Sequence, residues 1–164
     1  MNKLNGFKEL SADEHRSEFK IPVMRVELSL KVRYFLNDSG TGYCGLLIKE
    51  VKGNGLRGRV QAAVAKDYIG RTILIFLTEL DDGKKLITVP ALFEKEPCFD
   101  KSVDLSDLII KTYYHDDLRK TPQEVHKEHM NALVGRKISA DKEHLIRSIL
   151  DLPGRGLEIL RSFR

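Results

Sequence analysis

Residues 25–33 alternate between polar and apolar side chains, and this alternation constrains the fold more than any other feature of the chain. The apolar positions are Val26, Leu28, Leu30 and Val32. Successive side chains of a β-strand point to opposite faces, so a period of two collects the apolar set on one face. We therefore predict a long strand whose apolar side chains enter the core. Its solvent face is expected to carry Arg25, Glu27, Ser29, Lys31 and Arg33.

Turn signals divide the following residues into further strands. Residues 37–42 favour a turn, and a strand is expected from Tyr43 to Val51. A turn at 52–55 precedes a predicted strand over 57–65 and a single helical turn over 66–70. Residues 72–77 are apolar on both faces, as in a strand covered on both sides. The pair Asp82-Gly83 then predicts a hairpin into a strand over 85–89. Such a series of strands joined by short turns indicates an antiparallel meander or a small β-barrel.

Beyond Pro97 the apolar spacing changes from two to about 3.6, which is typical of amphipathic helices. One helix is expected over 105–113, and Thr121-Pro122 predicts the start of a second, which continues to Gly135. Ser139 is the expected cap of a third helix, which Pro153-Gly154 is expected to end, and a short fourth helix is expected over 157–163.

These patterns predict the α+β class, with an N-terminal antiparallel β-barrel or meander followed by a C-terminal helical extension. An arm or short helix is expected over residues 1–20, the β-barrel domain over 21–97, and the helical extension over 98–164. The extension carries more apolar residues at helical spacing than one face of a small barrel requires. We therefore predict that it contacts a protein partner or a second copy in a dimer; the alternative is that the helices wrap their own barrel.

Composition excludes several classes of protein. No apolar run approaches the roughly 18 residues needed to cross a bilayer, and the N-terminus has no apolar signal core, so a cytoplasmic chain without a membrane span is expected. Cys44 and Cys98 are too isolated to predict a disulfide framework or a zinc site. The net charge of +4 and the pI near 9.0 permit a phosphate-bearing partner without requiring one.

No pattern in the sequence predicts catalysis, so we expect a protein that is not an enzyme and uses no cofactor. Neither cysteine lies in a nucleophile signature, and no serine lies in a Gly-x-Ser-x-Gly motif. His126 and His129, with His115 nearby, have a metal-like spacing, but the surrounding lysine and glutamate residues are typical of a solvated helix, and no metal site is expected. Residues 53–58 have Gly-x-Gly-x-x-Gly spacing; because a strand is expected to follow, we interpret them as a β-hairpin rather than a dinucleotide-binding turn.

The polar stretch before the alternating strand, together with the glycine-rich turn and the strands after it, resembles the PilZ family over residues 11–96. That family is a six-stranded barrel that binds cyclic di-GMP, with an Arg-x-x-x-Arg arm before its first strand. The arm matches Arg16 and Lys20, with lysine in place of the second arginine. Because lysine is a point charge and arginine a planar fork, this replacement is expected to weaken phosphate binding.

The family's Asp/Asn-x-Ser-x-x-Gly turn matches residues 37–42 letter for letter, although it follows one strand where the family usually has two. The register 50–55 fits the topology better but has Glu50 and Lys52 at the ligand positions. In the first register the resemblance implies that Asn37 binds a base edge, that Ser39 binds a phosphate and that Gly42 lets the backbone approach the ligand. An ordinary hairpin loop demands the same residue types. The predicted function is a non-enzymatic regulatory module that binds cyclic di-GMP or, if the site is degenerate, a protein partner.

A second resemblance covers residues 48–89 and is to AbrB-like swapped-hairpin DNA-binding proteins. A strand, a single helical turn and another strand follow the family's order, with Ala65 where the family usually has proline. The resemblance implies a DNA-binding transcriptional regulator that dimerises by interlacing, and whose cations contact phosphates. The candidate cations lie within eleven residues of one another and are Lys49, Lys52, Arg57 and Arg59. A basic solvated loop would carry the same residues.

Overall fold

The computed structural model describes residues 4–10, 17–23, 25–89, 98–99 and 119–159. Within these residues the strands are β1 (Phe7–Leu10), β2 (Glu18–Val23), β3 (Val26–Asn37), β4 (Thr41–Gly53), β5 (Thr72–Glu79), β6 (Lys85–Thr88) and β7 (Cys98–Phe99). The helices are α1 (Gly55–Ala65), α2 (Pro122–Ala132) and α3 (Lys142–Ile159), with a 3-10 turn at Lys66–Tyr68. The predicted α+β class, strands first and helices towards the C-terminal side, is confirmed.

All of these strands belong to one antiparallel sheet, in which β1, β3, β4, β5, β6 and β7 are neighbours in that order. One edge of β3 is shared, because β2 pairs with residues 26–31 and β1 pairs with residues 34–37. Over the described residues the sheet stays open and does not form a barrel. The meander, one of the two expected forms, is therefore the observed one.

The alternation in β3 has the predicted consequence. Leu28 and Leu30 are 1% and 2% exposed, and Val26 and Val32 are also buried. On the other face Arg25, Lys31 and Arg33 are exposed. Register and orientation of this strand follow from its sequence.

The core lies on both faces of the sheet. On one face the aliphatic side chains of β3, β4 and β5 pack against Leu145 and Ile149 of α3. On the other face an aromatic cluster packs against Val125 of α2, with the rings of Phe35 and Tyr43 stacked at 4.7 Å between centroids. Residues 73–77 of β5 are buried between these two layers, which confirms the predicted two-sided burial.

The predicted strand over residues 57–65 is wrong, because these residues form α1. The buried side of α1 consists of Gly58, Ala62 and Ala65, which recur at helical spacing but are small. The small residues allow close approach: a Cβ on Gly53 of β4 would lie 2.0 Å from the carbonyl oxygen of Gly58. A helix that packs through glycine and alanine shows no stripe of large apolar residues in its sequence. The helical period of about 3.6 residues could therefore not be recognised.

The hairpin interpretation of residues 53–58 is wrong for the same reason, since the segment leads a strand into a helix. Gly55 has a φ of +72°, a conformation that favours glycine, and it begins α1 directly after β4. However, β4 and β5 are antiparallel, whereas a dinucleotide-binding turn belongs to a parallel βαβ unit. The glycine spacing here serves packing and the strand-to-helix turn.

One predicted helix start is confirmed, and two predicted helix boundaries need correction. Thr121 caps α2, and its side chain and that of Glu124 form a reciprocal capping box. The cap of α3 is Asp141 rather than Ser139, because the Asp141 carboxylate accepts the backbone N–H of His144. Helix α3 also continues through Pro153 instead of ending there.

The described part of the predicted N-terminal arm forms strands rather than a helix. It contains β1 and the start of β2, and β2 crosses the predicted boundary at residue 21. The helix predicted over 105–113 and residues 160–163 of the last predicted helix lie outside the described residues.

The apolar stripes of α2 and α3 are used within the chain. Val125, Leu133, Leu145 and Ile149 are all buried against the chain's own sheet or its hairpin. These residues are therefore not the free surface on which the predicted self-association rested. Self-association itself stays a prediction.

Candidate functional site

An open groove lies across the neighbouring strands β2, β3 and β4, at the polar row that Lys20, Ser29 and Glu50 form. It has a volume of about 460 Å³ and is lined by residues 18–20 of β2, 29–30 of β3 and 49–50 of β4. Three neighbouring strands therefore contribute side chains to one cavity.

A β-bulge shapes this groove. Ser29 pairs with Glu50, but the next residue, Leu30, pairs with Ile48, so Lys49 has no register partner on β3. An extra residue of this kind bends its strand and changes the direction of nearby side chains. The bulge places Lys49 at the groove in addition to Glu50.

The groove combines two cations and two anions, all exposed: Glu18, Lys20, Lys49 and Glu50. Among the described residues, Lys20, Lys49 and Glu50 have no ion-pair partner. Phe19 and Leu30 also border the groove, but they are 5% and 2% exposed and their side chains belong to the core that packs against α3. Lysine ammonium groups bind phosphate oxygens, and a carboxylate accepts hydrogen bonds from N–H donors. This set of side chains therefore suits a ligand that carries both phosphate groups and N–H groups.

The residues implied by the PilZ resemblance fall in two separate places. Lys20 lies in the groove, whereas Arg16 lies outside the described residues. Asn37 lies at the far end of β3, and the eight residues that separate it from Ser29 correspond to about 26 Å of strand. Lys20 and the turn 37–42 therefore do not line one cavity.

Local structure accounts for the turn 37–42. The Asn37 Oδ1 atom accepts hydrogen bonds from the backbone N–H groups of Ser39 and Thr41, at 3.1 and 2.9 Å. Ser39 is exposed. Gly42 is buried, and a Cβ there would lie 2.7 Å from the Cγ1 atom of Ile149 on α3. Asn37 thus closes the hairpin, and Gly42 provides room for a helix.

The alternative register of the PilZ-like turn, residues 50–55, begins inside the groove. Lys20 pairs with Ser29, and Ser29 pairs with Glu50, so the three residues form one row across three strands. The arm residue and the second register therefore meet in space, although they are distant in sequence. Sequence reasoning missed Ser29 and the bulge, for which the alternation of residues 25–33 gave no signal.

The four cations of the DNA-binding alternative are spread over a strand and a helix. Lys49 lies at the groove, and Lys52 is the register partner of Glu27. Arg57 and Arg59 are exposed on α1. Residues 49–71 contain six basic and two acidic residues, an excess equal to the +4 of the whole chain.

A buried histidine joins α2 to the sheet. His129 is fully buried, and its Nε2 and Nδ1 atoms lie 2.7 Å from the hydroxyl of Thr78 and 2.8 Å from that of Thr88. Thr41 contacts Thr78 in turn, at 2.9 Å between hydroxyl oxygens. Burial lowers the pKa of His129 to about 3, so the ring is neutral at pH 7.

The structure gives His126 and His129 different roles: the ring of His126 packs against Phe7 and Phe76, at 5.5 and 5.6 Å between centroids. Both ring nitrogens of His129 are occupied by threonine hydroxyls. Among the described residues no group of three or more His, Cys, Asp or Glu side chains could hold a metal ion, and His115 lies outside them. Of the two histidines, His129 belongs to a structural hydrogen-bond network and His126 to the aromatic packing beside it.

A second polar cluster anchors α3. The hydroxyl of Ser148 donates to Glu79 Oε1 at 2.5 Å, and Glu79 is 3% exposed. Lys85 Nζ and His144 Nε2 lie 3.8 and 3.6 Å from the same carboxylate oxygen. The serine donates to the carboxylate and not to the imidazole, so the cluster is arranged as an anchor between β5 and α3.

Cys44 lies in the core between the sheet and α3. Burial raises the pKa of its thiol to about 12, which keeps it protonated and unreactive.

Comparisons with known proteins returned no match, whether against family models, curated proteins or solved structures. Among the described residues, none of the helices has both the length and the apolar content to cross a membrane.

Proposed function

We propose that the chain is a non-enzymatic regulatory module that binds a cyclic dinucleotide, with cyclic di-GMP as the ligand to test, in the groove between β2, β3 and β4. The observation that carries the proposal is the shared cavity of Lys20, Lys49 and Glu50. The PilZ resemblance predicts Lys20 as a ligand residue, and Lys49 is one of the cations of the DNA-binding alternative. Glu50 is a mismatch to the second register of the PilZ-like turn, and its place in the groove comes from the structure alone.

The chemistry of the groove supports a guanine nucleotide. Lys20 and Lys49 offer two point charges to phosphate oxygens, while the Glu50 carboxylate accepts N–H donors such as the exocyclic amino group of guanine. The volume of about 460 Å³ falls within the range of ligand pockets, roughly 300–1,000 Å³.

Calorimetric titration with cyclic di-GMP tests the proposal. Binding is expected for the full chain, and the double variant K20A/K49A is expected to weaken it at least tenfold, because two phosphate contacts are lost. Glu50→Gln is expected to weaken the binding of cyclic di-GMP. The same variant is expected to change the binding of inorganic pyrophosphate little.

The control for the loss of lysine charge is Lys84→Ala, which removes one positive charge from the exposed hairpin between β5 and β6. It is expected to leave the affinity unchanged. No binding at millimolar cyclic di-GMP, or an equal loss in Lys84→Ala, would refute the proposal. Duplex DNA is titrated in parallel at low and high salt, and tight salt-dependent binding of DNA alone would favour the DNA-binding alternative.

A further inference from the structure

The outward side of α1 carries two large apolar side chains. Leu56 is 77% exposed and Val60 is 60% exposed, whereas the buried side is made of Gly58, Ala62 and Ala65. Amphipathic helices of globular proteins normally place large apolar residues inward. In α1 this arrangement is inverted, so an aliphatic ridge points away from the chain's own core.

Two arginines flank the ridge. Residues in an α-helix follow one another at about 100°, so Leu56 and Val60 lie one above the other, and Arg57 and Arg59 lie roughly 80° to either side of them. Both arginines are exposed, and residues 55–65 contain no acidic side chain. The surface is an apolar ridge between two positive borders, which we call the α1 ridge.

We infer that the α1 ridge, formed by Leu56, Val60, Arg57 and Arg59, is a docking site for an acidic amphipathic helix of a partner protein. Leucine or valine side chains of the partner would cover the ridge, and glutamate or aspartate at the flanking positions would pair with the arginines. Paired helices with apolar seams and charged borders use this geometry.

Charge complementarity selects this occupant over the others. If a second copy of the chain docked its α1 against this one, arginine would face arginine, because α1 contains no acidic residue. Duplex DNA would pair with the arginines but would place phosphates against two exposed aliphatic side chains. An anionic lipid surface is served by longer helices with a wider apolar face than one leucine and one valine provide.

The probe for this surface is a stapled synthetic helix with a leucine stripe bordered by glutamate, labelled for fluorescence anisotropy. Its matched control is the same helix bordered by lysine. The full chain is expected to bind the glutamate helix, and L56S/V60S and R57E/R59E are each expected to weaken it at least tenfold. R57E/R59E is expected to gain binding to the lysine helix, which a merely destabilised fold would not do.

Val134→Ser supplies the control on the chain, because Val134 is 79% exposed on another part of the surface. It is expected to leave the affinity for the glutamate helix unchanged. The inference is overturned if R57E/R59E binds the glutamate helix as well as the original chain does, or if Val134→Ser weakens it equally. It is also overturned if L56S/V60S leaves peptide binding unchanged and instead weakens binding to duplex DNA, binding to anionic vesicles or self-association.

Discussion

Lys20 on β2 and Glu50 on β4 lie on either side of Ser29 in one register row of the sheet. Their side chains, of opposite charge, line the same groove with Lys49, which a β-bulge adds to it. Ion pairs between these lysines and Glu50 would neutralise their charges, but no such ion pair is present in the described structure. The groove therefore keeps separate charges available to a ligand that carries both phosphate and N–H groups.

Gly42 is predicted to act in packing and not in ligand binding. In Gly42→Ala the new methyl group would lie 2.7 Å from Ile149 Cγ1, so we expect a loss of about 1–3 kcal/mol in the free energy of unfolding, measured by urea denaturation. Ile149→Ala removes the opposing atoms, and the double variant G42A/I149A is expected to be more stable than the sum of the single losses predicts. An undiminished stability of Gly42→Ala with loss of cyclic di-GMP binding would instead assign Gly42 to a ligand site.

Gly58→Ala separates the packing of α1 from its helix propensity. On propensity alone, alanine would stabilise a helix interior by about 1 kcal/mol. Here a Cβ would lie 2.6 Å from the carbonyl oxygen of Arg25, so we expect destabilisation. Ala63→Gly, on the exposed side of the same helix, is expected to cost about 1 kcal/mol through propensity alone. A stabilised Gly58→Ala variant would contradict the close contact of α1 with the chain before β3.

The buried His129 predicts a specific loss of stability in acid. Its pKa is lowered to about 3 in the folded chain, while the unfolded chain has the ordinary value near 6.5, so below pH 6.5 the unfolded state binds the additional proton. The stability contributed by neutral His129 is complete above pH 6.5 and decreases as the pH falls towards 3, by up to about 1.4 kcal/mol per pH unit.

The variant His129→Gln tests this prediction because it cannot take up the proton. At pH 7 we expect it to be less stable than the original chain by about 1–3 kcal/mol, since the hydroxyls of Thr78 and Thr88 lose well-placed partners. The difference in unfolding free energy is expected to shrink between pH 7 and pH 4.5. A difference that stays constant over this range would show that His129 is protonated equally in both states.

The sequence predicted most of the sheet because its signals are local. Alternation in residues 25–33, the two-sided apolar run of β5 and the Asp82-Gly83 turn each depend on neighbouring residues, and each is confirmed. The sequence did not predict α1, because the buried residues described on this helix are Gly58, Ala62 and Ala65, and the β-branched Val60 is exposed. Close contact between Gly53 and Gly58 is a tertiary property that no local pattern encodes.

The candidate site was only partly predictable for a related reason. Lysine and glutamate residues were identifiable as chemical groups, but their grouping depends on which strands pair and in which register. The bulge after Ser29 shifts that register by one residue and adds Lys49 to the groove. In contrast, the letter-for-letter match at residues 37–42 is explained by the needs of a turn, with Asn37 accepting two backbone N–H groups.

The most direct test of the account is a titration of the isotope-labelled full chain with cyclic di-GMP, followed by backbone amide chemical shifts. The account predicts that the largest shifts fall on residues 18–20, 29–30 and 49–50, and that they saturate with one dissociation constant. The turn at residues 37–42 is predicted to stay unchanged. Shifts concentrated in that turn, or no shifts at millimolar cyclic di-GMP, would contradict the assignment of the groove as the ligand site.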